Sequence, residues 1–187
     1  MKPFRSFIPP LAVMLMAAGG GSAQGVLIDR SEIKFVSKQL GTSVAGKFRK
    51  WKANVDFRPR ELARSRADFE IELGSIDLAN EESESELRRA RWFDTEHYPV
   101  ARFASNAMKS LGGDRYEIAG TLSIKGTSKD VVIPVALRKD VSGNDVAEGQ
   151  FTFNRLDFRI GDGPYADTDT VAAEVAVRIR MVLPAMA

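Results

Sequence analysis

Arg66-Ala67-Asp68-Phe69-Glu70-Ile71-Glu72-Leu73-Gly74-Ser75-Ile76 alternates without a break, with Ala67, Phe69, Ile71 and Leu73 on one parity and Asp68, Glu70 and Glu72 on the other. Successive side chains of a strand point to opposite faces, so this spacing predicts a strand with one buried apolar face and one charged, wet face.

The same period recurs on both sides of this stretch. Upstream, Ile33 and Phe35 alternate with Lys34 from Glu32 to Ser37, and a turn is expected at Gly41. From Ser43 to Phe57 the apolar parity starts on Val44, Gly46 and Phe48 and changes near Trp51 to Ala53, Val55 and Phe57, which predicts two strands with a bend or one bulged strand. Downstream, Ala101, Phe103 and Ser105 share a parity, followed by Tyr116, Ile118, Gly120, Leu122 and Ile124 after a Gly112-Gly113 turn, then Val131, Ile133, Val135 and Leu137. Pro134 falls on the alternate parity, which marks that last strand as an edge, bulged or locally unpaired at that residue. Ala147 to Phe153 and Thr170 to Val182 complete the set. Between them, Asn80 to Ala90 switches to helical spacing, with Asn80 as cap, Glu81 and Glu82 in the first turn, and Glu84 placed to pair with Arg88. Its apolar stripe is too thin to carry a core, so it reads as a lid or plug. The expected fold is all-β: about eight antiparallel strands closing a barrel, with one or two short helices inserted near residues 80–97 and a β-sandwich as the competing closure.

Residues 1–23 read as a cleaved export signal: Lys2 and Arg5, a short apolar run from Ile8 to Ala18, and the small residues Gly21-Ser22-Ala23. A single domain over residues 24–187 and a periplasmic location follow as expectations. Removing Lys2 and Arg5 leaves 25 basic and 25 acidic residues, a balance that disfavours a general polyanion binder such as a nucleic-acid protein. The chain has no Cys and one His, His97, so the usual nucleophiles and metal ligands are scarce. An acid-base cluster at Asp94, Glu96 and His97, with Ser43 or Ser105 as partner, is the weak enzymatic reading, and the chain is expected not to be an enzyme. The acidic loop at Asp162, Asp167 and Asp169 lacks the spacing of the common calcium loop, and no metal is expected there. Arg155 and Asp157, read as two apart on a strand and facing the same way, could form an ion pair near a turn, which is a structural role.

Eight of the eleven Phe lie in or beside predicted strands: Phe35, Phe48, Phe57, Phe69, Phe103, Phe151, Phe153 and Phe158. Alternation alone is equally consistent with a filled core and with the wall of an apolar cavity.

Several blocks resemble one family. They are Ser31 to Gly41, Val44 to Trp51, Gly74-Ser75-Ile76-Asp77, Leu87 to Asp94 with Tyr98-Pro99 and Phe103, Gly120 to Gly126, and Asn154 to Gly161. In order and spacing they are similar to the YceI-like family of bacterial periplasmic proteins, over essentially Val26 to Leu183. The resemblance implies an extended, eight-stranded, lipocalin-like barrel that binds a polyprenyl lipid or the tail of an isoprenoid quinone, with no cofactor required. On that implication, parity nominates Phe35, Phe48, Phe69, Ile71, Phe103, Ile118, Leu122, Ile133 and Phe153 as wall residues. Trp92 and Phe93 would gate one end, with Leu87 on the rim. Arg88, Arg91 and His97 are the head-group candidates. The partner would be a long-chain isoprenoid or other amphiphilic lipid, with transient membrane or membrane-protein contact and a homodimer as further expectations. Lys34, Lys38, Lys47, Lys50 and Lys52 form a basic region suited to anionic lipid. The rival is a ligand-free structural or interaction module with a filled barrel.

Overall fold

The computed structural model describes residues 25–185, so the predicted leader and its cleavage site lie outside the described residues. Ten antiparallel strands form one sheet: β1 (Glu32–Gln39), β2 (Thr42–Phe48), β3 (Trp51–Asp56), β4 (Arg66–Glu72), β5 (Ile76–Asp77), β6 (Val100–Gly112), β7 (Arg115–Ile124), β8 (Thr127–Lys139), β9 (Asp145–Asn154) and β10 (Glu174–Leu183). The all-β, lipocalin-like expectation holds, but the count is ten rather than eight. The difference lies in two breaks. Arg49 and Lys50 separate β2 from β3, and a 3-10 turn at Leu73–Ser75 separates β4 from β5. The breaks face each other and satisfy one another's polar groups: Arg49 N–H donates to the Ser75 carbonyl at 3.0 Å, Glu72 N–H to the Lys50 carbonyl at 3.0 Å, and Lys50 N–H to Ser75 Oγ at 3.0 Å. These bonds pair polar groups of one break with those of the other, which lets two paired strands break together.

The sheet order begins at β3 and ends at β5, each the continuation of a strand already in the sheet. β2 pairs with β5 as β3 pairs with β4, so the sheet curls back on itself. Counted as staves, the ring has eight. Its seam joins the first and last strands, with Ile33 opposite Ile179 and Phe35 opposite Val177.

Apolar parity decides which side of each strand faces in. Ala67, Ala101, Phe103, Leu122 and Ile133 are buried while Glu70, Arg102, Lys129 and Asp130 are exposed. The parity does not run unbroken along β6: a register shift between Ser105 and Ala107 brings Met108 inward instead of Ala107. Pro134 sits where β9 separates from β8, because their pairing covers only Val135 to Lys139 on the β8 side. Its missing N–H therefore costs no bond to β9.

The one α-helix, α1 (Glu81–Arg88), begins as its sequence predicts: Asn80 Oδ1 accepts from Ser83 N–H at 2.8 Å. Glu84 faces the barrel and is 6% exposed. Its carboxylate accepts from Leu78 N–H at 3.0 Å and lies 3.5 Å from Arg88 and 3.9 Å from Arg49. Arg88 Nε donates to the Gly74 carbonyl at 3.2 Å. The helix is thus fastened to the rim by charge and hydrogen bonds, with Leu87 as its one apolar contact to the core.

Candidate functional site

A cavity of about 910 Å³ occupies the half of the barrel nearest α1. Within the barrel its wall is aromatic and aliphatic, contributed by strands on every side. Phe35 comes from β1, Phe48 from β2, Phe69 and Ile71 from β4, Phe103 from β6, Leu122 from β7, Ile133 from β8 and Phe153 from β9; the predicted gate residues Trp92 and Phe93 line it too. Exposed polar side chains surround the opening: Lys38 and Gln39 at the end of β1, Glu81 and Glu82 on α1, Arg89 after it, and Thr170.

Aromatic contacts hold the wall in shape. Phe35 and Phe48 lie 5.6 Å apart between ring centres, and Phe93 meets Phe48 edge-on at 6.4 Å. Gly46 permits the first pair, because any Cβ there would strike the Phe35 ring across the β1–β2 ladder. A cavity of this size surrounded by apolar carbon and open at a polar rim is suited to an amphiphile with a long apolar part.

Four predicted site residues lie elsewhere, among them Arg88, which is engaged with Glu84 and the Gly74 carbonyl. Ile118 has the right face but the wrong depth, bordering a separate void of about 60 Å³ farther along the barrel. Arg91 is exposed; its carbonyl accepts from Gly161 N–H at 2.8 Å, and its guanidinium lies over Gly163. His97 is on the outer surface, its Nδ1 2.8 Å from Asp94 Oδ1, which draws the imidazole pKa upward. Of the serines considered beside it, Ser105 has its Oγ engaged as acceptor for the Ala67 N–H at 2.8 Å, tying β4 to β6.

Arg155 is the main residue that sequence reasoning misplaced. It does not pair with Asp157 on a strand. β9 ends at Asn154, whose side chain accepts from Leu156 N–H at 2.9 Å and starts a 3-10 turn, Arg155–Phe158. Arg155 is 2% exposed and borders the cavity. Its guanidinium donates to five carbonyls, those of Ile160, Gly161, Tyr165, Val171 and Ala172, at 2.7–3.0 Å. Burial pushes its pKa down from the ordinary arginine value, yet an arginine so far above neutrality stays charged. The cation therefore gathers a loop whose members Tyr165 and Val171 form part of the cavity wall. Tyr165 packs on Trp92 with ring centres 5.1 Å apart and its hydroxyl donates to Glu86 of α1 at 3.3 Å. Asp167 steadies the same loop by accepting from Asp169 N–H and Thr170 Oγ1, both at 3.0 Å.

Trp92 is 8% exposed, and its buried indole N–H finds no acceptor among the described residues. Leaving a buried donor unpaired costs about 1–3 kcal/mol, so a group of this kind calls for a reason.

Comparison with known proteins places this architecture. The model of the YceI-like domain matches residues 27–183. The chain belongs to the YceI-like family. Among YceI-like relatives, a UPF0312 protein of Pseudomonas savastanoi pv. phaseolicola is 29% identical over 169 residues, covering 84% of this chain and 88% of that protein. BcnA of Burkholderia cenocepacia superposes with a TM-score of 0.80 at 32% identity, covering 84% of this chain and 98% of its own. A polyisoprenoid-binding domain of Saccharophagus degradans, implicated in plant cell wall breakdown, shares the fold at a TM-score of 0.70 and 14% identity, over 88% of this chain and 99% of that one.

Proposed function

We propose that this YceI-like protein is a periplasmic binding or carrier protein that holds the tail of an isoprenoid lipid or quinone in its barrel. The observation that carries the reading is the cavity of about 910 Å³, walled by Phe, Ile and Leu and rimmed by polar groups. Each CH2 moved from water to such a wall contributes roughly 0.8 kcal/mol, so a branched hydrocarbon tail is held without any catalytic group. The polyisoprenoid-binding neighbour with the same fold supports this choice of ligand. A filled barrel was the mark of the rival interaction module, and the interior here is open. Phe35, Phe48, Phe69, Ile71, Phe93, Phe103, Leu122, Ile133 and Phe153 are the proposed tail contacts.

The unpaired indole N–H of Trp92 favours a head group with a hydrogen-bond acceptor, as a quinone or phenol has. Tyr165, stacked on Trp92, would have to shift to admit it.

The direct test is native mass spectrometry of the full chain purified from its own periplasm, with solvent extraction of whatever is bound. A co-purified mass in the isoprenoid lipid range is expected. A protein that carries no lipid and takes none up from isoprenoid-loaded vesicles would overturn the reading. Trp92→Phe should weaken a short-tailed quinone about tenfold, since one hydrogen bond of about 1.4 kcal/mol is lost. It should affect a hydrocarbon of the same tail by much less; equal losses for both would remove the quinone preference and leave the tail cavity standing.

A further inference from the structure

The barrel interior is divided. Beyond the main cavity lies the smaller void of about 60 Å³, lined on its far side by Val55, Ala67, Met181 and Leu183. Four side chains border both spaces: Phe69, Phe103, Ile133 and Ile179. They are the floor of one and the ceiling of the other.

Two of the four face each other across neighbouring strands. Phe69 and Phe103 stand directly opposite each other on β4 and β6, with ring centres 6.3 Å apart and planes tilted by 52°. Phe103 is 5% exposed, and its ring lies against the backbone of Gly120 on β7, where a Cβ would come within 2.6 Å of the ring. The ring is therefore set against main chain rather than against a side chain that can turn away. Below the void, Val55, Ala67, Met108 and Leu183 close the barrel with a packed cluster.

Resting on the reading of the cavity as a tail site, we propose that the Phe69–Phe103 pair is the stop that sets the length of tail this protein accepts. An amphiphile that keeps its head at the polar rim feeds its tail toward this pair. Every apolar unit that fits above the partition leaves water, whereas a unit added after the tail reaches it must stay at the rim. Affinity therefore rises with tail length and then levels off, and the position of that plateau is a property of the two rings.

A series of isoprenoid alcohols, increasing by one isoprene unit, tests this on the full chain by displacement of a fluorescent fatty probe. For the unmodified protein, affinity is expected to rise about tenfold or more per unit and then to stop rising. Phe103→Ala and Phe69→Ala join the two spaces, so whatever affinity each loses overall, the plateau should move at least one unit longer. Phe48→Ala, near the rim, should lower affinity across the series and leave the plateau where it was. Variants that retain cooperative unfolding but keep the original plateau would sink the proposal. If the alanine variants fail to fold, Phe69→Leu and Ile133→Ala carry the same test. Absence of any length dependence in the unmodified protein would instead overturn the tail-binding reading itself.

Discussion

At the α1 end of the barrel, Phe35, Phe48 and Phe93 border a cavity of about 910 Å³; at the other end Val55, Ala67, Met108 and Leu183 pack until only about 60 Å³ is left beside them. Both ends are built from strands with the same alternation. What differs is the segment that reaches over each end. The closed end receives Leu62 from a 3-10 turn, Phe57, and Val26 from the chain preceding β1, all apolar. The open end receives α1, whose residues along the cavity include Glu81, Glu82, Ser83, Ser85 and Glu86. Carboxylates cannot be driven into hydrocarbon without losing their hydration, so this helix covers the barrel without filling it. Leu87 is the one apolar side chain α1 brings to the cavity, so the helix contributes little to filling it and the apolar cover at this end comes from Trp92, Phe93 and Tyr165.

The strongest way to break this contrast is through Arg155, which holds the loop at the open end. Arg155→Met leaves five carbonyls without their donor. Stability should fall by more than about 3 kcal/mol, read as a lower urea midpoint. Lipid retention should be lost even in conditions where the variant stays folded, because Tyr165 and Val171 leave the wall. A midpoint within the error of the parent would mean that the loop is held by something else.

A paired substitution sharpens the contrast further. Leu183→Ala, in the packed end, should cost about 2–5 kcal/mol because it opens a cavity in a close-packed cluster. Phe48→Ala already faces a cavity on one side and should cost less than Leu183→Ala while weakening lipid binding more. If the two rank the other way in both measurements, the ends do not differ as their packing indicates.

The smallest expected effect is at His97, outside both ends. Asp94 raises its pKa in the folded protein, first through the hydrogen bond and then through charge. A raised folded-state value means that this stabilisation is fully present below about pH 6.5, the ordinary imidazole value, and is lost as pH rises through the folded value. The group is fully exposed, so the effect is slight. An NMR titration of the imidazole should give a midpoint above the free value in the parent and a lower one in Asp94→Asn. Lipid affinity should be unchanged in His97→Ala.

The sequence made the faces of the strands legible because period-two alternation is a local property. Phe69 and Ile71 opposite Glu70, the bend near Trp51, the cap at Asn80 and the Glu84–Arg88 pair could all be read from neighbours. Depth along the barrel is not local, and so Ile118 had the right parity and lies past the partition. Arg155 shows the same boundary more sharply. Five carbonyls between Ile160 and Ala172 define its role, and their positions depend on how the loop returns to β10, which no spacing around Arg155 encodes. The basic region around β1 to β3 was legible as charge but not as pairing: Lys34, Lys47 and Lys50 lie 2.7, 3.7 and 3.6 Å from Glu32, Asp77 and Glu72.

The seam between β1 and β10 has a consequence for when this protein can work. Ser31 Oγ accepts from Val182 N–H at 2.8 Å, across 151 residues of chain, and Val175, Val177 and Ile179 of β10 form part of the cavity wall. Without β10 in place the remaining strands make a trough rather than a container. So distant a contact forms slowly compared with local turns, so the cavity exists only once the β1–β10 seam has closed.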